Sequence, residues 1–485
     1  MKLKQLLCDV LDTEVDFEIN GLAIDSRLVQ AGNAFIALQG SSQHGMAHVD
    51  EAIANGACVV LYEPAGLIMT NLDELLIPHF PVPDLAQHLG KIAARFYDLP
   101  ARKLAIIGVT GTNGKTTCSQ LIAQALDDCG VIGTLGWGVP GELSPTLNTT
   151  PDALSIQHML AQFVSQGKAV VAMEVSSHGL QLGRINSVNF TGAVFTNLSR
   201  DHLDFHGSME GYFQAKLSLF KSSNLKFAVL NADDQAVLTV RNHLAANVKC
   251  WTFSTKGRFV EGAESIVAKH IVMSADGIRF QVIWGEQIAD AFTPLVGDFN
   301  LENVLAVFAV MLAMGTSFSV AVANLGKLKA TLGRMEKFGG NHKPTVFVDY
   351  AHTPDALEKV LKGLKGLGQL WVVFGCGGNR DTGKRREMGH IAETLADQVI
   401  ITDDNPRDEI ASEIINEILM GCQSQKVKVI QNRKLAIDTA IQQATKNDCI
   451  VIAGKGHEEY QEINGVKFPF SDQAAVQHSL ASWNH

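Results

Sequence analysis

The chain has 485 residues, more than one hydrophobic core usually organises, so its length predicts about three domains. Apolar residues make up 46% and charged residues 19%, which excludes a disordered chain. The formal net charge of −10 excludes sequence-independent nucleic-acid binding, which needs clustered Lys and Arg to displace counterions, but leaves room for a local anion site.

At the N-terminus, Lys2 and Lys4 precede Leu6-Leu7-Cys8 in the manner of a lipoprotein leader, yet Asp9 and Asp12 interrupt any apolar core. A cytoplasmic protein is expected. The cysteines Cys8, Cys58, Cys118, Cys129, Cys250, Cys376, Cys422 and Cys449 are scattered without a CxxC pair and read as reduced, mostly buried thiols. Residues 1–99 alternate short apolar runs (34–38 and 58–62) with polar loops and helical stretches, a small α/β domain. A polar break at Pro100-Ala101-Arg102-Lys103 sets the first boundary.

The apolar run 104–109 then reads as a buried strand feeding a Gly-rich turn, and runs at 169–173, 192–195 and 227–230 are interleaved with helical pattern. Such alternation predicts a mostly parallel, doubly wound sheet for a domain spanning 100–332. Residues 304–325 carry no charge, but Gly315, Thr316 and Ser317 split them into the end of one helix and the start of the next, and Asn324 is polar, so no membrane span is expected. After Gly333-Arg334-Met335 a second series of strands follows at 345–349, 370–374, 398–401 and 449–453, predicting a C-terminal α/β domain over 333–485. Polar or Gly-rich residues lie just past each of these strands, where open parallel sheets bind ligands.

The segment Gly108-Val109-Thr110-Gly111-Thr112-Asn113-Gly114-Lys115-Thr116-Thr117 stands between a predicted strand and a predicted helix, the context of a phosphate loop. Glycines let the backbone approach phosphate, successive N–H groups face the anion, Lys115 adds a point charge and Thr116 can ligate Mg²⁺. The strict pattern is broken by Val109, five positions before Gly114. A GTPase switch is the first rival, with Asp204-Phe205-His206-Gly207 and Thr445-Lys446-Asn447-Asp448 as its further motifs. Both fail on context, since Asp448 lies across a domain boundary and precedes a strand; Thr445 to Asp448 reads as a helix-to-strand turn.

The segment Gly111 to Thr117 resembles the phosphate loop of the Mur ligases and their folylpolyglutamate synthase relatives. Glu174-Val175-Ser176-Ser177-His178-Gly179-Leu180, Asn197-Leu198-Ser199-Arg200-Asp201-His202-Leu203-Asp204, Asp349-Tyr350-Ala351-His352-Thr353-Pro354 and Asp404-Asn405-Pro406-Arg407 resemble motifs of the family's diaminopimelate-adding branch. The likeness runs from Asp25-Ser26-Arg27 to Gly454-Lys455-Gly456-His457-Glu458, nearly the whole chain. It implies an N-terminal domain for the uridine end of the substrate, a central ATPase and a C-terminal Rossmann-like domain for the incoming amino acid. It also implies a small-molecule enzyme of peptidoglycan synthesis that uses ATP and Mg²⁺, with no nucleic-acid or membrane partner; a monomer is the default.

Making an amide from a carboxylate in water requires a better leaving group, so the carboxylate takes the γ-phosphoryl of ATP and the amine attacks the acyl phosphate. The charge crowded into that step calls for Mg²⁺ and fixed cations. Glu174 ends an apolar run, a position suited to a metal-binding carboxylate, and the resemblance assigns it that role beside Thr116. By resemblance His202 helps hold a second Mg²⁺, and Lys216 is carbamylated, which turns a metal-repelling cation into an anion. Read alone, His202 is structural and Lys216 a solvated surface lysine. Asn300, Arg334 and Asp349 resemble nucleotide contacts, with Asp349 on the ribose; read alone they are a helix cap, a surface cation and a strand-end turn residue.

For UDP-N-acetylmuramoyl-L-alanyl-D-glutamate, Ser26 and the backbone of Ile24 match the uridine site, while Asn148, Thr149, Thr150, Ser176 and Arg184 match the muramoyl-peptide site. The sequence departs from the family at Leu182, where relatives can carry a Gln that the neighbouring Gln181 would have to replace, and in the loop Ser41-Ser42-Gln43-His44. Asp404, Asn405, Pro406 and Arg407 bear on the amino acid added, because meso-diaminopimelate differs from lysine by a second α-carboxylate that a guanidinium can grip with two parallel hydrogen bonds. By resemblance Arg380, Gly454 and Glu458 complete that pocket, Glu458 facing the substrate's ammonium. The alternatives are the lysine-adding ligase of the same family and a folylpolyglutamate synthase-like ligase.

Overall fold

Three sheets, met in chain order, organise residues 1–40, 43–67 and 72–483, the part of the chain that the computed structural model describes. Ser41 and Ser42 of the divergent loop lie outside the described residues.

The first sheet is parallel throughout, with Gly21–Ala23, Asn33–Ala37, Ala57–Tyr62 and His79–Pro81 side by side in sequence order. The helix Leu85–Phe96 spaces Leu85, Leu89, Ile92 and Ala93 along one face, and that face closes the core over the sheet.

The second sheet has eleven strands. Its parallel centre runs in the spatial order Glu264–Ser274, Lys249–Ser254, Phe227–Asn231, Phe190–Phe195, Ala105–Thr110, Val170–Glu174, Cys129–Gly133. Antiparallel strands extend both edges: Gly277–Trp284 and Gln287–Thr293 on one, Gly136–Val139 and Glu142–Ser144 on the other. The reading of apolar runs passes over these edge strands because exposed and polar residues break their pattern, as in Gln287–Thr293, where Gln287, Ile288 and Asp290 are exposed.

Helices cover both faces of this sheet. On one side Lys115–Ala125 and Asp298–Ala313 bury Cys118, Leu121, Leu305 and Phe308; on the other Ala153–Ser165 buries Ile156, Leu160 and Phe163. The uncharged stretch 304–325 is divided as expected, into the helix Asp298–Ala313 and the helix Phe318–Leu325, with Gly315 at φ +95° in the break. Among the described residues no helix is long and apolar enough to cross a membrane.

The third sheet is ordered Glu336–Gly339, Thr345–Asp349, Cys449–Ala453, Leu370–Phe374, Gln398–Ile401, Val427–Val429, antiparallel only at the first strand. A small hairpin, Tyr460–Ile463 with Val466–Pro469, follows it. Arg433 and Asp472 form a fully buried bidentate pair, 2.7 Å in both contacts, and Arg433 also donates to the carbonyls of Asp403 and Ala453. One guanidinium thus ties two helices to the carboxyl ends of two strands, next to the loop after Gln398–Ile401.

Two further readings find their place in the fold. Asp448 caps a turn, accepting from the amide and hydroxyl of Thr445, as the helix-to-strand reading has it. The cysteines are free, but only Cys118, Cys129, Cys376 and Cys449 are buried; Cys58, Cys250 and Cys422 are half-buried and Cys8 is exposed.

Candidate active site

The strand Ala105–Thr110 lies between Val170–Glu174 and Phe190–Phe195, so three carboxyl ends meet above the middle of the second sheet. From the central one springs the loop Gly111-Thr112-Asn113-Gly114, which opens the helix Lys115–Ala125. Gly111 has φ +149° and Gly114 φ +84°, and both are hemmed in: a Cβ on Gly111 would overlap Thr196 Oγ1, and one on Gly114 would stand 2.5 Å from Asn303 Oδ1. Lys115 Nζ folds back over the loop, donating to the carbonyls of Gly111 at 2.9 Å and Thr112 at 2.7 Å. Burial pulls its ammonium below the ordinary lysine range, an effect that Glu174 and Asp201 oppose. Thr117, next along the helix, is buried.

Glu174 ends its strand fully buried, facing the loop. Its Oε2 accepts from Thr116 Oγ1 at 2.9 Å and Thr134 Oγ1 at 3.0 Å, and its Oε1 accepts from the Thr134 amide at 2.8 Å. Burial raises its pKa, while the Thr134 amide and the charge of Lys115 hold it down. Thr134 went unnoticed in the sequence because nothing but the fold brings it, after Cys129–Gly133, beside Glu174.

The nucleotide candidates come from two domains. Arg334 is no mere surface cation: its Nη2 stands 3.4 Å from Thr116 Oγ1 and its guanidinium lies 4.4 Å from the Tyr350 ring centroid. Asp349 accepts from the Met335 amide at 2.7 Å, so the turn role holds, and burial pushes its carboxyl up to about 6. Asn300 is not a cap; it sits buried in the first turn of its helix, donating to the Val296 carbonyl at 2.8 Å and accepting from Asn303 Nδ2 at 3.3 Å. Asn303, which the sequence reading missed, is thereby aimed at Gly114.

Lys216 departs from the picture of a solvated surface lysine. It is 1% exposed, donates from Nζ to the Gly111 carbonyl at 2.8 Å and lies 4.3 Å from the Tyr212 ring centroid. Burial, followed by the nearby charge of Lys115, holds its ammonium well below the ordinary lysine range. His202 sits at φ +52° beside Asp201, with Nε2 3.4 Å from Oδ2, and its ring packs edge-on against His178 at 4.8 Å. Burial lowers its pKa, which Asp201 counters. Among the described residues no group of three or more His, Cys, Asp or Glu side chains is placed to hold a metal ion.

Most of the muramoyl-peptide candidates gather beside Glu174, around its backbone carbonyl and Thr134. Thr150 Oγ1 donates to the Glu174 carbonyl at 2.8 Å and accepts from the Ser176 amide at 2.9 Å; Arg184 Nη1 donates to the Thr150 carbonyl at 2.9 Å; Thr149 Oγ1 is 3.0 Å from Thr134 Oγ1. Ser176 Oγ caps its helix by accepting from the Gly179 amide. Asn148, Gln181 and Leu182 are exposed. The uridine candidates lie elsewhere, in the first domain: Ser26 is buried with its hydroxyl given to Glu51 at 2.5 Å, and Ile24 is half-buried.

In the third sheet, the loops after Leu370–Phe374 and Gln398–Ile401 press together, the Gly378 amide donating to the Asn405 carbonyl at 2.9 Å. Arg407 takes φ +50° there. Its Nη1 donates to the Gly378 carbonyl at 2.7 Å and its Nε to Glu462 Oε2 at 3.2 Å, so the guanidinium is already partnered by a carboxylate. Asn405 bridges the crevice, donating to Glu458 Oε2 at 2.8 Å and accepting from the fully buried Lys455 at 3.0 Å; Lys455 also reaches Glu458 at 3.0 Å. Lys455 stands in the quoted Gly454 to Glu458 motif, and its burial is what the sequence did not reveal. A Cβ on Gly454 would stand 2.5 Å from Asp404 Oδ2, Pro406 is buried and Arg380 is exposed at the rim.

Fold and site together define a three-domain α/β enzyme with a phosphate loop in its middle domain and a Rossmann-like third domain. Three family descriptions match in succession: the Mur ligase family, catalytic domain, over residues 18–97; the Mur ligase middle domain over 109–311; and the Mur ligase, glutamate ligase domain, over 333–456. The chain is 44% identical to the UDP-N-acetylmuramoyl-L-alanyl-D-glutamate--2,6-diaminopimelate ligase of Alkalilimnicola ehrlichii, covering 99% of each chain. It is also 44% identical to the protein of that name in Pseudomonas aeruginosa, covering 100% of this chain and 99% of the other. A solved structure of a ligase of that name shares 36% identity, with a TM-score of 0.71 over 99% of each chain. The chain belongs to the Mur ligase family of ATP-dependent ligases.

Proposed function

We propose that this protein joins meso-2,6-diaminopimelate to UDP-N-acetylmuramoyl-L-alanyl-D-glutamate, with ATP converting the D-glutamyl side-chain carboxylate to an acyl phosphate, in peptidoglycan synthesis. The observation that carries the reading is the pairing of two half-sites: the phosphate loop with Glu174 at Thr116 in one domain, and Arg407 with Asn405 and Glu458 in another. The names of the full-length relatives supply the substrates.

In this reading residues 1–99 hold the uridine end through Ser26 and Ile24, 100–332 form the ATPase and 333–485 bind the amino acid. Gly111 to Thr117 cradle the phosphates, with Asn300, Arg334 and Asp349 contacting the nucleotide. Asn148, Thr149, Thr150, Ser176 and Arg184 hold the muramoyl peptide at the edge of the loop. Lys115 neutralises charge on the phosphoryl oxygens as it moves to the acceptor carboxylate.

The donors around Thr116 suit Mg²⁺, a hard cation that takes hydroxyl and carboxylate oxygens, and Glu174 already shares one proton with that hydroxyl. Mg²⁺ held there by Thr116 and Glu174 would neutralise charge on the phosphate oxygens. An ammonium on Lys216 would repel it, whereas a carbamate would supply oxygens; the burial that favours the neutral amine keeps available the form that adds to CO2 and releases a proton to give the carbamate. His202 is the remaining candidate ligand.

In the third domain Arg407 grips the distal carboxylate of diaminopimelate, beside Arg380, Asp404, Pro406 and Gly454, and Glu458 takes the adjacent ammonium. A cytoplasmic monomer suits this small-molecule reaction. The test is phosphate release from Mg²⁺-ATP and the UDP-dipeptide with meso-diaminopimelate, L-lysine or neither. Release confined to diaminopimelate, with a UDP-tripeptide product, is the expected outcome. Release with lysine alone would overturn the role of Arg407, and silence with both would overturn the ligase reading.

A further inference from the structure

Asp355 stands in the first turn of the helix Pro354–Leu364, in the third domain, yet its partners include two residues of the second. Its Oδ2 accepts from Asn113 Nδ2 at 2.8 Å and from Ser199 Oγ at 3.2 Å, and also from Lys359 Nζ, one helical turn on, at 2.9 Å. Asn113 belongs to the phosphate loop, and its amide is in turn fixed by Asn197 Oδ1 at 2.9 Å. Ser199 closes the circuit, since its amide donates to Thr112 Oγ1 at 2.9 Å and its carbonyl accepts from that hydroxyl at 3.1 Å.

A single carboxylate oxygen therefore gathers the loop that would hold the phosphates and the strand-end segment beside it. It binds both to the helix that follows the strand Thr345–Asp349. The Asn113 side chain is spent on this contact, pointing across the domain boundary. The arrangement is partly buried, where hydrogen bonds to a charged group are stronger than those between neutral groups.

We infer that Asp355 is a positioning residue, an acceptor latch that fixes the amino-acid domain to the phosphate loop through Asn113 and Ser199. Attack on an acyl phosphate demands that amine and carbonyl meet in near-attack geometry, although separate domains carry them. The latch sets that distance by making the phosphate loop itself part of the domain contact. It rests on the ligase reading for its kinetic consequence but not for its structural one.

The test pairs kinetics with shape. In the full-length enzyme, Asp355→Ala lowers kcat with diaminopimelate about tenfold or more, as expected for loss of a charge-assisted contact, and leaves the Kd of ATP measured alone within about twofold. Asp355→Asn, which keeps one acceptor oxygen, recovers a substantial part of kcat; a role confined to folding would instead track the melting temperatures of the two variants. Small-angle X-ray scattering with a non-hydrolysable ATP analogue gives a larger radius of gyration for Asp355→Ala than for the parent. Parent-like kcat or identical scattering in Asp355→Ala overturns the latch. If the parent itself ligates nothing, the functional reading fails while the scattering comparison still decides the latch.

Discussion

Lys216 Nζ lies 2.8 Å from the carbonyl oxygen of Gly111, so a buried lysine amine and the first glycine of the phosphate loop are held in contact. Among the described residues one carbonyl and the Tyr212 ring meet that amine, a meagre set of partners for a permanent charge.

The amine is therefore expected to react. Because its pKa is held well below the ordinary lysine range, the neutral form that attacks CO2 is present at lower pH than for a free lysine. Activity should fall in CO2-depleted buffer and as pH drops through the amine's lowered pKa, and return with bicarbonate. Lys216→Ala should abolish ligation, and short carboxylates added in trans should restore part of it. A ¹³C carbamate signal after labelled bicarbonate checks the chemistry directly; a fully active Lys216→Ala variant would refute it.

Arg407 yields a second expectation through its partner. Glu462 Oε2 accepts from Arg407 Nε at 3.2 Å and competes with an incoming carboxylate for the same guanidinium. Arg407→Ala should raise KM for diaminopimelate by more than about tenfold, since a bidentate contact is lost. Glu462→Gln should move KM the opposite way, downward. Initial-rate kinetics on both variants separate the cases, and a Glu462→Gln enzyme with a raised KM would show that the glutamate presents the arginine to substrate instead of competing for it.

The phosphate loop was legible in the sequence because its glycines and lysine are adjacent in the chain and flanked by a strand and a helix whose patterns are local. Central strands of all three sheets were legible for the same reason, as apolar runs of strand length. What the sequence withheld depends on distance along the chain. Thr134 meets Glu174 only once distant strands pair, Asn303 meets Gly114 once a helix packs on the sheet, and Asp355 meets Asn113 once two domains touch. Lys216 misled because a lysine near a helix end reads as solvated, and no local signal marks the buried face it shares with Tyr212 and Leu217. The edge strands escaped because a half-exposed strand lacks the continuous apolar run that marks a central one.

Glu302 carries a stability prediction. Burial pushes its carboxyl from 4.5 up to about 7, with Lys359 opposing and Asp233 and Asp298 reinforcing, and Asn231 Nδ2 donates to it at 3.2 Å. A raised folded-state pKa means that the native protein holds the proton longer than the unfolded chain. The contribution is therefore full below the unfolded pKa and is lost as pH rises through about 7. Glu302→Gln removes the ionisation, so the variant should gain about 1–3 kcal/mol on the parent between acidic pH and pH ~8.5. Urea unfolding at the two pH values measures this, and parallel pH profiles for parent and variant would contradict it.

The last expectation concerns how closely Glu174 is held. Gly133 ends the strand Cys129–Gly133 with no positive φ, so its backbone tolerates alanine, but a Cβ there would overlap Glu174 Oε1 and stand 2.6 Å from Cδ and 2.8 Å from Cγ. The carboxylate is the part that can move, by rotating away from Thr116 and Thr134. Losing those contacts would leave the fold almost intact, since the methyl group displaces one side chain at the site and no backbone. Gly133→Ala should then keep a melting temperature within a few degrees of the parent, yet need about tenfold or more Mg²⁺ for half-maximal activity, because the carboxylate no longer shares the Thr116 hydroxyl. Mg²⁺ titrations of the initial rate, run beside thermal melts, read both quantities. An unchanged Mg²⁺ requirement would mean that Glu174 acts in some way other than beside Thr116, whereas a large loss of melting temperature would show that the strand, and not the carboxylate, gives way.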